Sequence, residues 1–501
     1  MRWNHWGTGK NVWAINFLKI MYRSEIMKNE SLEGSDYKQE LKRNLKLFSS
    51  FAVAFSFISI TTGIFANYQF VLTTGGPAGI WSWVVTFIGQ LLVALIFAEL
   101  AGVIPISGYS YQWITRLSNK MMGWITGWIC ICFLVLVVPA IDSGVAPIFA
   151  TLIGLKGTPS EITTIIIVTL IVQAAINIVG VKLASYINNA AVFTESLGII
   201  ALTVVLLVVA LKNGNDPSIL LNTVNKGEGA SYIGPFMMSM LMGAFTLVGF
   251  ESAANLSEET INPGKTVPKA IISSVFLAGV FGTAFLVAVT LAIKSLPATL
   301  ASSSPLPYIL QTSLGSVIGK LFLVIVSISI FACGTVAMTS GSRLVYVMSR
   351  NRAFFFSNLF KKVSSRTSSP IYATILILVF GIVATVFSSS LTTLIGVTAI
   401  LPAIIYFITI VCYGLARKNV KIKEGNFNLG KAAKPVFILA ILWLIFELAI
   451  LTVPTQFHMT ALLSIVLILI GFVIYFVVIK KKIGSADSEE KVDRIVKDFD
   501  D

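Results

Sequence analysis

Four carboxylates stand inside long apolar stretches of this sequence: Asp142, Glu195, Glu251 and Glu447. Two other stretches interrupt runs of Leu, Ile, Val and Phe with small or hydroxylated residues. One is Ser59-Ile60-Thr61-Thr62-Gly63. The other runs from Gly243 through Phe245, Thr246 and Val248 to Gly249, two residues before Glu251. Backbone that leaves a helix inside a membrane must find partners in protein, water or a bound molecule. Freed N–H groups at the start of a half-helix suit a carboxylate, and freed carbonyls at the end of one suit an ammonium. Small residues also let helices approach closely, but interruptions at matching places in two halves of a chain point to a transporter's binding site.

A carboxylate facing lipid costs a few kcal/mol, so each of the four is expected to face a cavity or a polar partner. Glu251, one turn beyond the second interruption, is the first candidate for a gate or proton-linked group. Asp142, three residues after Pro139, suits either a proton or cation ligand on the pathway or a buried structural acid. Glu195 and Glu447 are expected to be structural, one near a helix end and one on a peripheral helix. Glu99, Glu258, Glu259 and Arg343 fall near the ends of apolar stretches and are expected to form a charge network at the cytoplasmic face.

Covalent chemistry has little to draw on. The chain has only two histidines, His5 and His458, and neither an H-E-x-x-H nor a Gly-x-Ser-x-Gly pattern. Gly7-Thr8-Gly9-Lys10 lacks the spacing of a phosphate-binding loop. Cys130 and Cys132 are spaced for neither a redox pair nor zinc, and with Cys333 and Cys412 they read as small buried hydrophobes. No metal or cofactor is expected.

The elements that must position these groups are membrane helices. Of 501 residues, 56% are hydrophobic and 12% charged, against about 25% charged in soluble domains, and the mean hydropathy is +0.86. Apolar runs of roughly 20 residues suffice to cross a bilayer as helices. Twelve spans are expected: 47–72, 80–104, 123–152, 162–182, 190–211, 233–255, 269–293, 317–349, 370–388, 391–416, 435–453 and 459–479. The net charge of +14 lies in short loops, not on a basic face interleaved with aromatics, which argues against nucleic acid.

Those charges also orient the chain. Lys38, Lys42, Arg43 and Lys46, then Arg116 and Lys120, Lys265 and Lys269, the Arg350–Arg366 group, the Arg417–Lys434 group and Lys480–Lys482 all fall on one side. The other side holds Lys156, Lys212, Lys226 and Lys294. The positive-inside rule then places both termini in the cytoplasm of a multi-pass cell-membrane protein. Residues 1–46 form an N-terminal segment and 480–501 a tail. Residues 1–26 lack the apolar core and cleavage site of a signal peptide, and translation is expected to begin at Met27.

Four motifs carry a family resemblance. Ala98-Glu-Leu-Ala-Gly-Val-Ile-Pro105-Ile-Ser-Gly108-Tyr-Ser-Tyr111 and Gly249-Phe-Glu251-Ser-Ala-Ala-Asn-Leu-Ser-Glu258-Glu259-Thr-Ile-Asn262-Pro263 are similar to the second- and sixth-helix signatures of the amino acid–polyamine–organocation permease superfamily. Asn177-Ile-Val-Gly180-Val-Lys182 and Ser342-Arg343-Leu-Val-Tyr346-Val-Met-Ser-Arg350 resemble its fourth- and eighth-helix signatures. The run at Leu256–Glu259 most resembles the amino acid/choline branch.

The resemblance implies an all-α polytopic membrane protein with a five-plus-five inverted-repeat core, 47–211 and 233–416, and two peripheral helices, 435–479. It also implies that a substrate carboxylate meets the unwound first helix at Thr62 and Gly63. The amine would meet carbonyls near Ser59, Phe245 and Val248, and the Phe245 ring would close over the substrate. The expected substrate-binding set is thus Ser59, Ile60, Thr61, Thr62, Gly63, Phe245, Thr246 and Val248, with Phe245, Glu251 and Asp142 for gating or proton coupling. The chain departs from the family where Thr61-Thr62-Gly63 replaces a glycine-small-glycine motif. It departs again at Asn351–Phe356, where the eighth helix normally ends in an acidic residue, glycine and then proline, and in a fifth span without the lysine of several proton-coupled relatives.

The function expected is secondary transport of an amino acid, zwitterionic in charge, by alternating access. A polyamine, choline or other organic-cation permease is the alternative. A channel would need a repeated filter segment, an enzyme a convergent catalytic set, and a sensor a signalling domain; the sequence has none of these. The sequence leaves the coupling ion, proton or sodium, open, along with symport versus exchange and oligomeric state.

Overall fold

The computed structural model describes residues 45–224, 231–302, 304–387, 391–417 and 426–483. Among these the regular structure is helical, with no strand beyond an isolated bridge between Leu45 and Thr260. The expectations for residues 1–26 and for the C-terminal tail beyond 483 lie outside the described residues. Ten helices are long and apolar enough to cross a membrane, and two shorter apolar ones, Ile233–Thr246 and Ile371–Phe387, stand where the sixth and ninth spans are expected. The protein is an all-α polytopic membrane protein.

The first and sixth spans are interrupted. The first is helical over Leu47–Ile58 and again over Ile60–Gly75, with Ser59 between them at φ 33°. Ser59 caps the second piece: its Oγ accepts from the Thr62 N–H at 3.3 Å. The sixth stops at Thr246 and restarts as the single turn Ser252–Asn255, with Gly249 at φ 84° in the gap. A Cβ built on Gly249 would sit 1.9 Å from the Phe57 ring. That close approach, in a region of φ that L-residues avoid, is why the second interruption contains a glycine. Gly63 has the same closeness, since a Cβ there would meet Thr246 Oγ1 at 1.7 Å. The two broken spans therefore touch at their breaks. In lipid, such small-residue contacts and hydrogen bonds carry helix association, because hydrocarbon gives no hydrophobic drive between helices.

The third span (Lys120–Leu152) and eighth span (Ser316–Arg350) pack on each other beside these breaks, and the second (Pro77–Val103) packs on the seventh (Pro263–Leu291). Burial separates centre from edge. The first and third spans bury 78% and 83% of their most apolar stretch, whereas the eleventh (Gly430–Thr452) and twelfth (Thr455–Ile483) bury 33% and 22%. The outer faces of these last two expose Ile438, Leu442, Leu462, Leu469 and Val473, as lipid-facing helices do.

Two differences from the expected spans have physical causes. The fifth helix begins at Val181, directly after Gly180 at φ 138°, not at 190. The polar residues that read as a loop are absorbed because Asn189 Nδ2 donates to Ser49 Oγ of the first span at 3.2 Å and Asn188 is buried. Between the second and third spans a helix, Tyr109–Leu117, occupies a presumed loop. It buries Tyr111 and Trp113, and the Trp113 indole donates to the Ile104 carbonyl at 3.0 Å.

Candidate functional site

A small cavity lies between the two breaks. Phe57, Ile58, Thr62 and Gly63 of the first span line it, with Phe245, Thr246 and Val248 of the sixth. Val137 and Ile141 of the third and Cys333 of the eighth close it. Its lining holds no charged side chain. Five of the eight expected binding residues are thus brought together: Thr62, Gly63, Phe245, Thr246 and Val248. Phe57, Ile58, Val137, Ile141 and Cys333 join them without having been singled out by sequence, since an apolar residue on an apolar helix carries no mark of what it faces. The Cys333 thiol donates to the Phe57 carbonyl at 3.2 Å, so the eighth span takes up a main-chain acceptor at the cavity wall.

Ser59, Ile60 and Thr61 stand behind that wall. Ile60 is fully buried. Ser59 and Thr61 turn toward Glu195, whose Oε1 accepts from Ser59 Oγ at 3.0 Å, Thr61 Oγ1 at 2.8 Å and the Thr61 N–H at 3.3 Å. Ser59 Oγ in turn accepts from Thr62 Oγ1 at 2.7 Å. Because the fifth helix starts early, Glu195 lies mid-helix and not near an end. Sequence could not pair it with Ser59, 136 residues away.

The second break is held by the tenth span (Leu391–Ala416). Tyr406 Oη accepts from the Gly249 N–H at 3.1 Å and donates to Glu251 Oε2 at 2.7 Å. Glu251 is buried beside the cavity without lining it. Asp142 is fully buried and does not line the cavity; its Oδ1 accepts from Gln173 Nε2 of the fourth span at 2.8 Å. Glu447 accepts from Gln90 Nε2 at 2.7 Å, tying the eleventh span to the second.

At one end of the bundle the expected charge network is present and larger than expected. Arg343 Nε meets Glu259 Oε1 at 3.2 Å, with both side chains buried. Arg350 binds both Glu258 oxygens at 3.1 Å, and Arg417 Nε meets Glu99 Oε1 at 3.0 Å. Asn255, just past the second break, accepts from the Gly108 N–H at 2.9 Å and donates to the Ser340 carbonyl at 2.7 Å. This end is closed by charge pairs and hydrogen bonds among the spans that border the breaks.

The sequence model of the amino acid permease family matches residues 45–477, which span every element just described. The chain belongs to this family. It is similar to amino-acid permease BAT1 of Arabidopsis thaliana, 28% identical over 89% of this chain and 91% of the relative. It is also similar to the BAT1 homolog of rice (Oryza sativa subsp. japonica), 29% identical over 85% and 87%, and to an uncharacterized amino-acid permease of Schizosaccharomyces pombe, 24% identical over 84% and 81%. The protein is an amino acid transporter of the membrane.

Proposed function

We propose that this transporter carries zwitterionic amino acids across the cell membrane by alternating access, with both termini cytoplasmic and with transport linked to protons. The observation that carries the substrate reading is the cavity lining: hydroxyl, backbone and apolar groups between two helix breaks, with no charged side chain. An uncharged wall leaves a zwitterion's two charges to be met by helix ends and carbonyls, and offers no counter-ion to a second ammonium. Asp142, the anchor a polyamine or choline would need, points to Gln173. The test is uptake of a labelled amino acid panel into proteoliposomes, with and without proton and sodium gradients. Neutral amino acids should compete best; stronger competition by putrescine or choline would replace this reading with organic-cation transport.

The charge-paired end is read as cytoplasmic, from the positive-inside rule. A cysteine at Gly227, outside the described residues, should then be labelled by an impermeant reagent applied to cells, and one at Ser365 should not. The reverse pattern would invert the topology.

Phe245 and Glu251 are read as gating groups that fail differently. Phe245→Ala removes a ring that lines the cavity and should weaken substrate retention, roughly ten- to a hundredfold in apparent affinity for a loss of 1.4–2.8 kcal/mol. Glu251→Gln keeps a hydrogen bond to Tyr406 but removes a titratable group. Uptake rate at saturating substrate, measured from about pH 5 to 8, should vary less with pH than in the wild type. An active Glu251→Gln protein with the wild-type profile would make this carboxylate structural.

A further inference from the structure

The second piece of the first span, Ile60–Gly75, is a helix of 16 residues whose N-terminus points at the break. That end is the one on which the substrate reading relies, because its N–H groups and helix dipole favour an anion. In the structure it is already occupied by a carboxyl group of the protein, that of Glu195. The Thr61 N–H goes to Glu195, the Thr62 N–H to Ser59 Oγ, and the Gly63 N–H to the Ser59 carbonyl at 3.2 Å. Ser59 and Thr61 add two hydroxyl donors to the same Glu195 oxygen.

We propose that Glu195 competes with the substrate's carboxylate for the N-terminus of the first-span break, so that an amino acid binds together with a proton taken up by Glu195. This rests on the proposed zwitterionic substrate, and it names the residue that links that substrate to protons.

Glu195 is within the membrane, and no cation is a partner to it among the described residues. Among the described residues its hydrogen-bond partners are Ser59 and Thr61, and the Cys333 thiol of the eighth span interacts electrostatically both with it and with Asp142 of the third. No charged side chain from the first, fourth or seventh spans, or from the helix Pro305–Leu314, is among them, although all of these pack against the fifth. One helix end can hold one carboxylate well; a second brought to it is repelled by the first. Proton transfer to Glu195 removes the repulsion and exchanges charge-assisted hydrogen bonds for weaker neutral ones, which frees Ser59 and the Thr61 N–H.

Two hydroxyls join the cavity to Glu195. Thr62 lines the cavity, and Thr62 Oγ1–H donates to Ser59 Oγ, whose own proton points to Glu195 Oε1. A proton delivered to Thr62 from the cavity moves on as each hydroxyl passes its own proton forward. The net change is one proton lost from the cavity and one gained by the carboxylate.

The second half of the chain holds its break from the equivalent helix. Glu195 on the fifth span latches the first, and Tyr406 on the tenth latches the sixth through Gly249 and Glu251. In each half the last helix of five grips the break in the first, which is the placement expected of a coupling device.

Because linkage is reciprocal, binding should be read from both sides. Purified protein in weakly buffered detergent solution is mixed with the neutral amino acid best transported in the panel, and separately with its carboxamide, which keeps the ammonium and lacks the carboxylate. Wild-type protein should take up protons with the amino acid and not with the amide. Its affinity for the amino acid should strengthen as pH falls, by up to about tenfold per pH unit. The infrared difference spectrum on adding the amino acid should gain a protonated-carboxyl band, a readout that needs no variant. Glu195→Gln should bind the amino acid with an affinity independent of pH, without proton uptake or the new band. Proton-free amino acid binding by the wild type, or a Glu195→Gln protein that keeps the pH dependence, overturns the proposal and leaves the zwitterionic reading standing. Binding of the amide or a diamine in preference to amino acids overturns both.

Discussion

Replacing Gly249 by alanine is expected to abolish uptake and to lower the melting temperature of the purified protein. Two costs combine. Gly249 has φ 84°, where an L-residue is disfavoured by about 1–2 kcal/mol. The new Cβ would also lie 1.9 Å from the Phe57 ring, and overpacking of this kind costs about 1–3 kcal/mol. Phe57 cannot easily yield, because it is buried and stacked on Phe133 with ring centroids 6.1 Å apart. The break would also lose its latch, since the Gly249 N–H is held by Tyr406 and a shifted backbone moves that donor. A Phe57→Ala background separates the causes: the collision is absent there, so adding Gly249→Ala should lower the melting temperature by less than it does in the wild type, by the φ cost alone, while transport stays lost. Wild-type melting and uptake in Gly249→Ala would show that the sixth span does not need this backbone geometry.

What could be read in the sequence follows from how locally each feature is encoded. The two breaks were legible because hydroxyls and glycines inside apolar runs are a contrast within a few residues. Five of the residues expected at the substrate site do line the cavity for that reason. The role of Glu195 was hidden by two errors of one origin. Asn188 and Asn189 looked like loop residues, which shortened the fifth span and moved Glu195 toward an end. The burial of Asn188 and the bond from Asn189 to Ser49 of the first span are tertiary facts with no local signature. The charge network was half legible for a similar reason. Arg343 with Glu259 could be suspected from their places near span ends. Arg417 with Glu99 joins residues 318 apart and follows only once the tenth span is packed beside the second.

Neutralising one partner of the Arg343–Glu259 pair should have the other large effect, and on conformation more than on binding. Both side chains are buried, and Arg343 sits in the eighth span while Glu259 follows the second break. Removing one charge from such a pair strands the other, at a cost of about 3–5 kcal/mol. That cost falls on the state in which this end is closed, because opening lets water reach the stranded charge. Glu259→Gln should therefore shift the closed-to-open ratio by roughly two to four orders of magnitude. A cysteine at Ser349, fully buried at this end, reports the shift when the four native cysteines are replaced by serine or alanine: its labelling should accelerate in Glu259→Gln. Adding Arg343→Gln to that variant leaves two neutral side chains that can hydrogen-bond to each other, so labelling should slow again toward the parent rate, a coupling that a double-mutant cycle measures directly. Equal labelling in all three proteins would mean that this pair does not bias the gate. The neighbouring pairs, Arg350 with Glu258 and Arg417 with Glu99, would then have to hold the end shut, and they are the weaker candidates because each arginine reaches partly into solvent, where an ion pair contributes about 0–1 kcal/mol.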